Sequence, residues 1–370
     1  MKFDYCIVGA GFSGCVMAER ISSVMKKSVL LVEGHNHVGG HVYDKYDQDG
    51  ILIQVYGPHI FHTNKEEVWS YLAPYVKWNI YHHEVLGLVE GKKVPIPFNL
   101  NTLHELFPIT LAEKLEKKLI DNYGFGKKVT ILELKKSDDK DLKYLADYVY
   151  ENVFLKYTIK QWDLKPDELS PSVTGRVPVF ISRDNRYFQD PYQGMPAGGF
   201  TPIFDKLLDN RGIRIMLNTQ YKDIKDEVQY DHLIFTGPID LFFDFKFGKL
   251  PYRSLDFEWT HIDKEYYQEV GVVNYPNDYK FTRITEFKRL TGQKSPSTTI
   301  IKEYSKSCDI EKDIPYYPVP VDANMDLYKK YENEAKKTKN VTFLGRLATY
   351  GYYNMDMAIF NALKAFDSLA

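Results

Sequence analysis

At 370 residues, with 48 Lys plus Arg against 50 Asp plus Glu, the chain carries a formal net charge of −2. That balance removes the electrostatic case for nucleic acid or an acidic membrane as partner, and the length predicts two or three domains. No apolar run reaches the about 18 residues a membrane span needs, the N-terminus runs straight into a core strand with no signal peptide, and the three cysteines form no C-x-x-C pair. A cytoplasmic globular protein without a disulfide framework is expected.

Phe3 to Val8 (FDYCIV) predicts a short buried strand that runs into Gly9-Ala10-Gly11-Phe12-Ser13-Gly14, a G-x-G-x-x-G loop. Cys15 to Ser22 carries apolar residues at helical spacing, and Ser28 to Val32 predicts a second strand closing on Glu33. In such a unit Gly9 makes the turn, Gly11 admits a pyrophosphate and Gly14 lets the helix pack on the strand. The phosphates then meet the free N–H groups at the helix start. Glu33 stands where an acid takes a ribose hydroxyl, which disfavours the 2′-phosphate of NADP. A second glycine pair, Gly39-Gly40, follows the acid. A nicotinamide enzyme has no need of it, whereas flavoproteins of the glutathione-reductase and amine-oxidase type use it beside FAD. The cofactor expected is FAD.

Ile51 to Tyr56 predicts a strand, and Gly57 to Thr63 (GPHIFHT) a loop pressed against a ligand. The spacing of His59 and His62 gives no third metal ligand, and His37/His41 and His82/His83 are equally unsupported, so no metal is expected. Glu66 to Leu72 predicts a helix and Tyr81 to Val94 a hairpin turning at Glu90-Gly91. Beyond Pro95, Leu111 to Tyr123, Thr130 to Leu134 and Asp141 to Tyr157 predict helices. Further on, Pro196 to Leu208 predicts a turn and helix, Ile213 to Leu217 and Leu233 to Thr236 strands, and residues 251–304 an antiparallel sheet. Val341 to Leu344, Gly345-Arg346 and a last helix from Met355 close the chain. The fold expected is α/β. Residues 1–80, 192–240 and 335–370 form a discontinuous Rossmann-like FAD-binding domain. Residues 100–165 form an inserted helical domain with a mobile lid over 162–171. Residues 81–99, 172–191 and 241–334 form an antiparallel-sheet substrate domain.

Eight stretches are not generic to flavoproteins: GPHIFHTN (57–64), YTIKQW (157–162), RVP (176–178), DPYQG (190–194), YRSL (252–255), FTRI (281–284), PYYPV (315–319) and GRLATYGYY (345–353). In order and spacing they resemble the bacterial UDP-galactopyranose mutase family, essentially end to end. The resemblance implies an isomerase that interconverts UDP-galactopyranose and UDP-galactofuranose without net redox change, on FAD that must be reduced by an electron donor still to be found. It further implies attack of flavin N5 on the anomeric carbon, a flavin–sugar adduct and an iminium, in a homodimer that supplies galactofuranose for cell-surface polysaccharide.

The resemblance also implies roles. Arg176 and Arg283 clamp the diphosphate, for which a planar, permanently charged guanidinium is suited. Tyr187, Tyr317 and Tyr352 donate to the same phosphates, Tyr157 stacks on uracil, and Trp162 lies on the mobile loop beside the sugar. Arg253 is an active-site arginine, and His59 and His62 face the flavin. Ile60, Gly237, Gly345, Arg346, Tyr353, Asn354 and Met355 join the glycine loop, Glu33 and the Gly39-Gly40 pair around the cofactor. His35 and His37 are read as packing residues. Two positions depart from the family. Asn354 replaces the aspartate of Tyr-Tyr-Asp-Met, removing a possible charge partner for an active-site arginine, and is expected to tune sugar preference or rate. Phe180 stands where relatives can carry arginine. Within the class a UDP-N-acetylgalactosamine mutase stays open, alone or bifunctional. Outside it stand an amine-oxidase-like oxidoreductase and a non-catalytic nucleotide-sugar binder.

Overall fold

The computed structural model describes residues 2–170, 175 and 177–369. The chain divides into two units, Met1–Tyr81 with Asp190–Tyr252 and Pro315–Ala370, and His82–Gln189 with Arg253–Ile314.

The first unit is built on five parallel strands in the order Ile213–Met216, Val29–Val32, Lys2–Val8, Gln229–Phe235 and Val341–Phe343. Parallel strands are covered on both faces and so read as unbroken apolar runs; all four residues of Val29–Val32 are buried. The first strand is central, with the second on one side and Gln229–Phe235 on the other. The order therefore reverses beside the first strand, where open α/β sheets bind ligands at the carboxyl ends of their strands. Helix Phe12–Arg20 packs against the C-terminal helix Met355–Leu369 and against Thr201–Leu208. Cys6 and Cys15 are fully buried, as packing residues should be.

Gly57 to Thr63 is not all loop. Phe61–Thr63 forms a strand with Tyr192–Pro196, which also pairs with Trp78–Ile80. His62 pairs with Gln193 in this register, so its side-chain direction is set by a sheet. Phe61 and the indoles of Trp69 and Trp78 stack behind it, centroids 4.8 Å apart at each step. Sequence alone misses this sheet because three-residue strands carry almost no periodic signal.

In the second unit, strands run in the order Tyr252–Ile262, Thr298–Ser307, Arg283–Glu286, Val272–Asn274, Val85–Val89 and Lys92–Ile96. All pairs are antiparallel except Val272–Asn274 with Val85–Val89. The expected hairpin turns at Glu90 and Gly91, both at positive φ. Helices Leu100–Leu106, Ile109–Tyr123, Ile131–Leu134 and Lys140–Val149 share one core with this end of the sheet, through Phe98, Leu115, Leu142 and Val272. Three of these four starts carry a side-chain cap; Ile109–Tyr123 begins after Pro108 without one. Asn99 accepts from the Thr102 N–H, Thr130 from Glu133, and Asp139 from Asp141 and Leu142. The single helix expected over Asp141 to Tyr157 is interrupted. A π-helical turn at Tyr150–Leu155 separates Lys140–Val149 from Lys156–Trp162, and the wider turn rotates the second piece out of phase with the first. Among the described residues no helix is long and apolar enough to cross a membrane.

Candidate active site

The dinucleotide loop forms because Gly14 has no side chain. A methyl there would stand 1.9 Å from the Gly9 carbonyl oxygen, so only glycine lets the helix start close on the turn. Gly11 occupies the N-cap without a side-chain cap, no acid lies in the first turn, and the space beside Gly11 Cα is open. An uncapped, uncharged helix start with room before it fits a pyrophosphate. Phe12 and Ser13 are buried in that first turn.

Glu33 is buried at the end of its strand. Oε2 accepts from the Ala10 N–H at 2.8 Å, and Oε1 from the His35 N–H at 2.9 Å and from Nδ1 of the same residue at 2.8 Å. Burial alone would raise its carboxyl. The His35 ring and the two backbone donors outweigh that and hold it below the usual glutamate range. His35 is raised in turn by Glu33, against its own partial burial. His35 is therefore more than a packing residue: it orients the acid that fits a ribose hydroxyl. The Gly39 N–H donates to the Ala10 carbonyl at 2.8 Å, and a methyl on Gly40 would stand 3.1 Å from Gly11 Cα. The second glycine pair is thus laid against the first loop.

At the same edge of the sheet, Gly345 packs on Ser13 and on Thr236, the residue before Gly237. The Arg346 guanidinium donates from Nη1 to the Tyr316 carbonyl at 3.3 Å and lies 5.8 Å from the Tyr317 ring centre. Tyr317 meets Tyr352 edge-on at 5.6 Å, and the Tyr353 hydroxyl lies 3.2 Å from Thr349 Oγ1. Met355 is buried at the start of the last helix.

The histidine segment is held by a residue that sequence reasoning missed. Gln54 accepts from the His59 N–H at 2.6 Å and donates from Nε2 to the His59 carbonyl at 3.0 Å. His59 Nδ1 lies 2.9 Å from the Gly57 carbonyl, and Ile60 beside it is half-buried. His62 Nδ1 lies 2.6 Å from Asp190 Oδ2, and its Nε2 lies 3.2 Å from Asn354 Nδ2. Asn354 thus meets a histidine of the segment. Asp190 opens the DPYQG stretch, and strand pairing brings it to His62.

The second unit holds the remaining candidates. Arg283 is fastened to the buried Glu303, directly opposite it in the strand register, from Nε at 2.9 Å and Nη2 at 2.8 Å. The acid fixes one edge of the guanidinium and so orients its other edge. Arg253 is buried with its donors spread over the end of helix Lys156–Trp162: Nε reaches the Gln161 carbonyl at 2.9 Å and Nη2 the Lys160 carbonyl at 3.5 Å. It also reaches Ser305 and Ser307. It thereby satisfies orphan carbonyls at a helix C-terminus. Trp162 closes that helix and is buried, in contrast to the mobile loop expected for it. Tyr157 is half-buried one face round on the same helix. Tyr187 donates its N–H to the His83 carbonyl at 2.7 Å, and its ring packs edge-on against Phe188. Of the expected lid, Pro166–Glu168 makes one 3-10 turn; residue 171 and Arg176 lie outside the described residues.

A parallel sheet, a glycine loop on a helix start, a ribose acid and a second glycine pair define a nucleotide-binding protein of the flavoenzyme fold. Residues 7–75 match an NAD(P)-binding Rossmann-like domain, and residues 152–352 match the UDP-galactopyranose mutase family. A probable UDP-galactopyranose mutase of Klebsiella pneumoniae is 38% identical, over 98% of this chain and 93% of its own. The dTDP-fucopyranose mutase of Escherichia coli is 37% identical, over 97% and 96%. A UDP-galactopyranose mutase of Mycoplasma genitalium is 37% identical, over 98% and 94%. The crystal structure of a reduced UDP-galactopyranose mutase superposes with a TM-score of 0.75 at 18% identity, covering 100% of this chain and 94% of that one. A putrescine oxidase superposes with a TM-score of 0.62 at 11% identity, covering 100% and 99%, a likeness of fold alone. The chain belongs to the UDP-galactopyranose mutase family and is an isomerase of that class.

Proposed function

We propose that the protein interconverts UDP-galactopyranose and UDP-galactofuranose on reduced FAD. The observation that carries this reading is that the carboxyl ends of the parallel strands join the glycine loop, Glu33 and the Gly39-Gly40 pair, in a chain 38% identical to a probable UDP-galactopyranose mutase over nearly its whole length.

The reduced flavin, when bound, supplies the nucleophile that releases UDP from the anomeric carbon. The residues of this chain bind and orient. The N–H groups at the start of helix Phe12–Arg20 take the FAD pyrophosphate, and Glu33 takes a ribose hydroxyl. UDP departs with its negative charge on the diphosphate, and Arg283, oriented by Glu303, receives that charge. Arg176, Tyr187, Tyr317 and Tyr352 share the diphosphate, and Tyr157 takes the base. Arg253 acts through the helix bearing Tyr157 and Trp162, as a positioning residue, since its contacts run to the carbonyls of that helix.

The 37% identity to a dTDP-fucopyranose mutase supports a second reading, in which base and sugar differ while the reaction is the same. One experiment separates the two. Dithionite-reduced protein is incubated with UDP-galactofuranose, its N-acetyl analogue or dTDP-fucofuranose, and the pyranose products are resolved by chromatography, beside oxidised protein and Arg283→Ala. Conversion of UDP-galactofuranose by the reduced wild type alone is expected, with a loss of at least about 100-fold in Arg283→Ala. Preference for dTDP-fucofuranose would select the second reading. Conversion of none, with UDP still bound, would leave a binding protein.

A further inference from the structure

Every other histidine of the first unit has a ring nitrogen on a partner. His35 meets Glu33, His37 meets Val38 and Tyr56, His59 meets Gly57, His62 meets Asp190 and Asn354, and His232 meets Thr342. His41 is half-buried, yet among the described residues neither of its nitrogens has a hydrogen-bond partner. Enclosed polar groups are rarely left so, and one at a binding site points to a ligand.

The backbone decides where this ring lies. Gly39 and Gly40, both at positive φ, press the chain onto the dinucleotide loop, against Ala10 and Gly11. His41 comes next, inside the 3-10 turn Gly40–Val42 that the Tyr43 N–H closes on the Gly40 carbonyl at 3.2 Å. Tyr316 fixes its plane: the two rings stack with centroids 4.7 Å apart and planes 8° from parallel. Stacking takes up a face and leaves the nitrogens on the ring edge available. The Tyr316 carbonyl also accepts from Arg346, which follows Gly345 on Ser13. His41 and Arg346 therefore leave the chain beside the two glycines that touch the start of helix Phe12–Arg20, and both converge on Tyr316. Desolvation first, and then the Arg346 guanidinium and the His59 and His35 rings, hold His41 well below its ordinary 6.5. A neutral imidazole still carries one N–H, and an imidazolium two, so either form has a donor for an anion. We infer that His41 is a further binding residue for the dinucleotide, donating a ring N–H to its diphosphate beside the helix start.

The inference rests on the proposed reading of this loop as the FAD site, and its test reads binding, not turnover. Apoprotein is titrated with FAD, followed by quenching of the flavin fluorescence, and with ADP by calorimetry, as wild type, His41→Phe and His41→Gln. The phenyl ring keeps the stack on Tyr316 without a donor, whereas the amide keeps a donor. His41→Phe is expected to weaken FAD and ADP alike, by about 10-fold or more, and His41→Gln to lose less. Unchanged affinities in His41→Phe would overturn the inference. So would a loss for FAD alone, which would put the ring on the flavin, or equal losses in both variants. His41→Leu takes the place of His41→Phe if that variant does not fold. A wild type that binds ADP but not FAD would refute the FAD reading, and the variants would still decide the inference through ADP.

Discussion

At the scale of single residues, the pair Glu33–His35 makes a prediction about pH. Glu33 sits below its ordinary value of 4.5, so its share of the stability is complete above pH 4.5 and is lost as pH falls through its folded value. His35 sits above 6.5, so its share is complete below pH 6.5 and is lost as pH rises through its folded value. Together they contribute most between pH 4.5 and 6.5. The His35 side chain is 47% exposed, which limits the contribution to about 0.2–1 kcal/mol. In apoprotein, the melting-temperature gap between wild type and His35→Gln is expected to be wider at pH 6 than at pH 8. An equal gap at both values would show that the pair does not couple to folding. Arg283 and Glu303 teach the same lesson in the second unit: a site cation is legible by type, but the acid that aims it lies on the neighbouring strand.

At the scale of elements, helix Lys156–Trp162 is fastened more heavily than its seven residues suggest. Asp163 ends it in the left-handed conformation at φ 59°, donating its N–H to Ile159 at 2.7 Å. Arg253 and Ser305 take the carbonyl of Gln161, the serine at 2.7 Å. The Lys160 ammonium meanwhile donates to three carbonyls of the next segment, those of Tyr275, Tyr279 at 2.9 Å and Phe281 at 3.3 Å. That segment leads into the strand of Arg283. Lys160→Met would leave half-buried acceptors without a donor, at a cost of about 1–3 kcal/mol. Hydrogen exchange is expected to quicken together in peptides covering 156–162 and 275–283, with the first unit unaltered. Quickening in only one of the two would mean that the lysine does not join them.

At the scale of the whole molecule, every feature that fits FAD belongs to the first unit: the glycine loop, Glu33, the second glycine pair, the histidine segment and Gly345. Ligand that binds only the folded chain adds about 2.7 kcal/mol at one hundred times its dissociation constant. FAD added back to apoprotein is therefore expected to raise the melting temperature and to slow exchange in residues 9–14, 33–40, 57–63 and 345–355. Protection elsewhere in place of these segments would refute the cofactor assignment. Putrescine oxidase shares the fold over 100% of this chain at 11% identity, so the fold by itself does not separate the families.

The amino-acid sequence by itself determined whatever is written in contiguous residues. The strand, loop, helix, acid and second glycine pair of the cofactor motif fall within the first forty positions, where spacing along the chain is spacing in space. The hairpin at Glu90-Gly91 and the helices Ile109–Tyr123, Ile131–Leu134 and Lys140–Val149 of the second unit were legible for the same reason. Tertiary structure alone decided the contacts that span the chain. Asp190 meets His62 across 128 positions, Asn354 meets the same ring across 292, and Arg253 reaches Gln161 across 92. No local propensity encodes such meetings, because they depend on which three-residue strand pairs with which and in what register. For the same reason Trp162 turned out to be the buried end of a helix otherwise half-buried or exposed: the π-turn before it changes the face that the following residues present. The residue types announced nucleotide-sugar chemistry. Only the packing of segments far apart in the chain settled which of them hold one another in place, since side-chain geometry is fixed by neighbours in space.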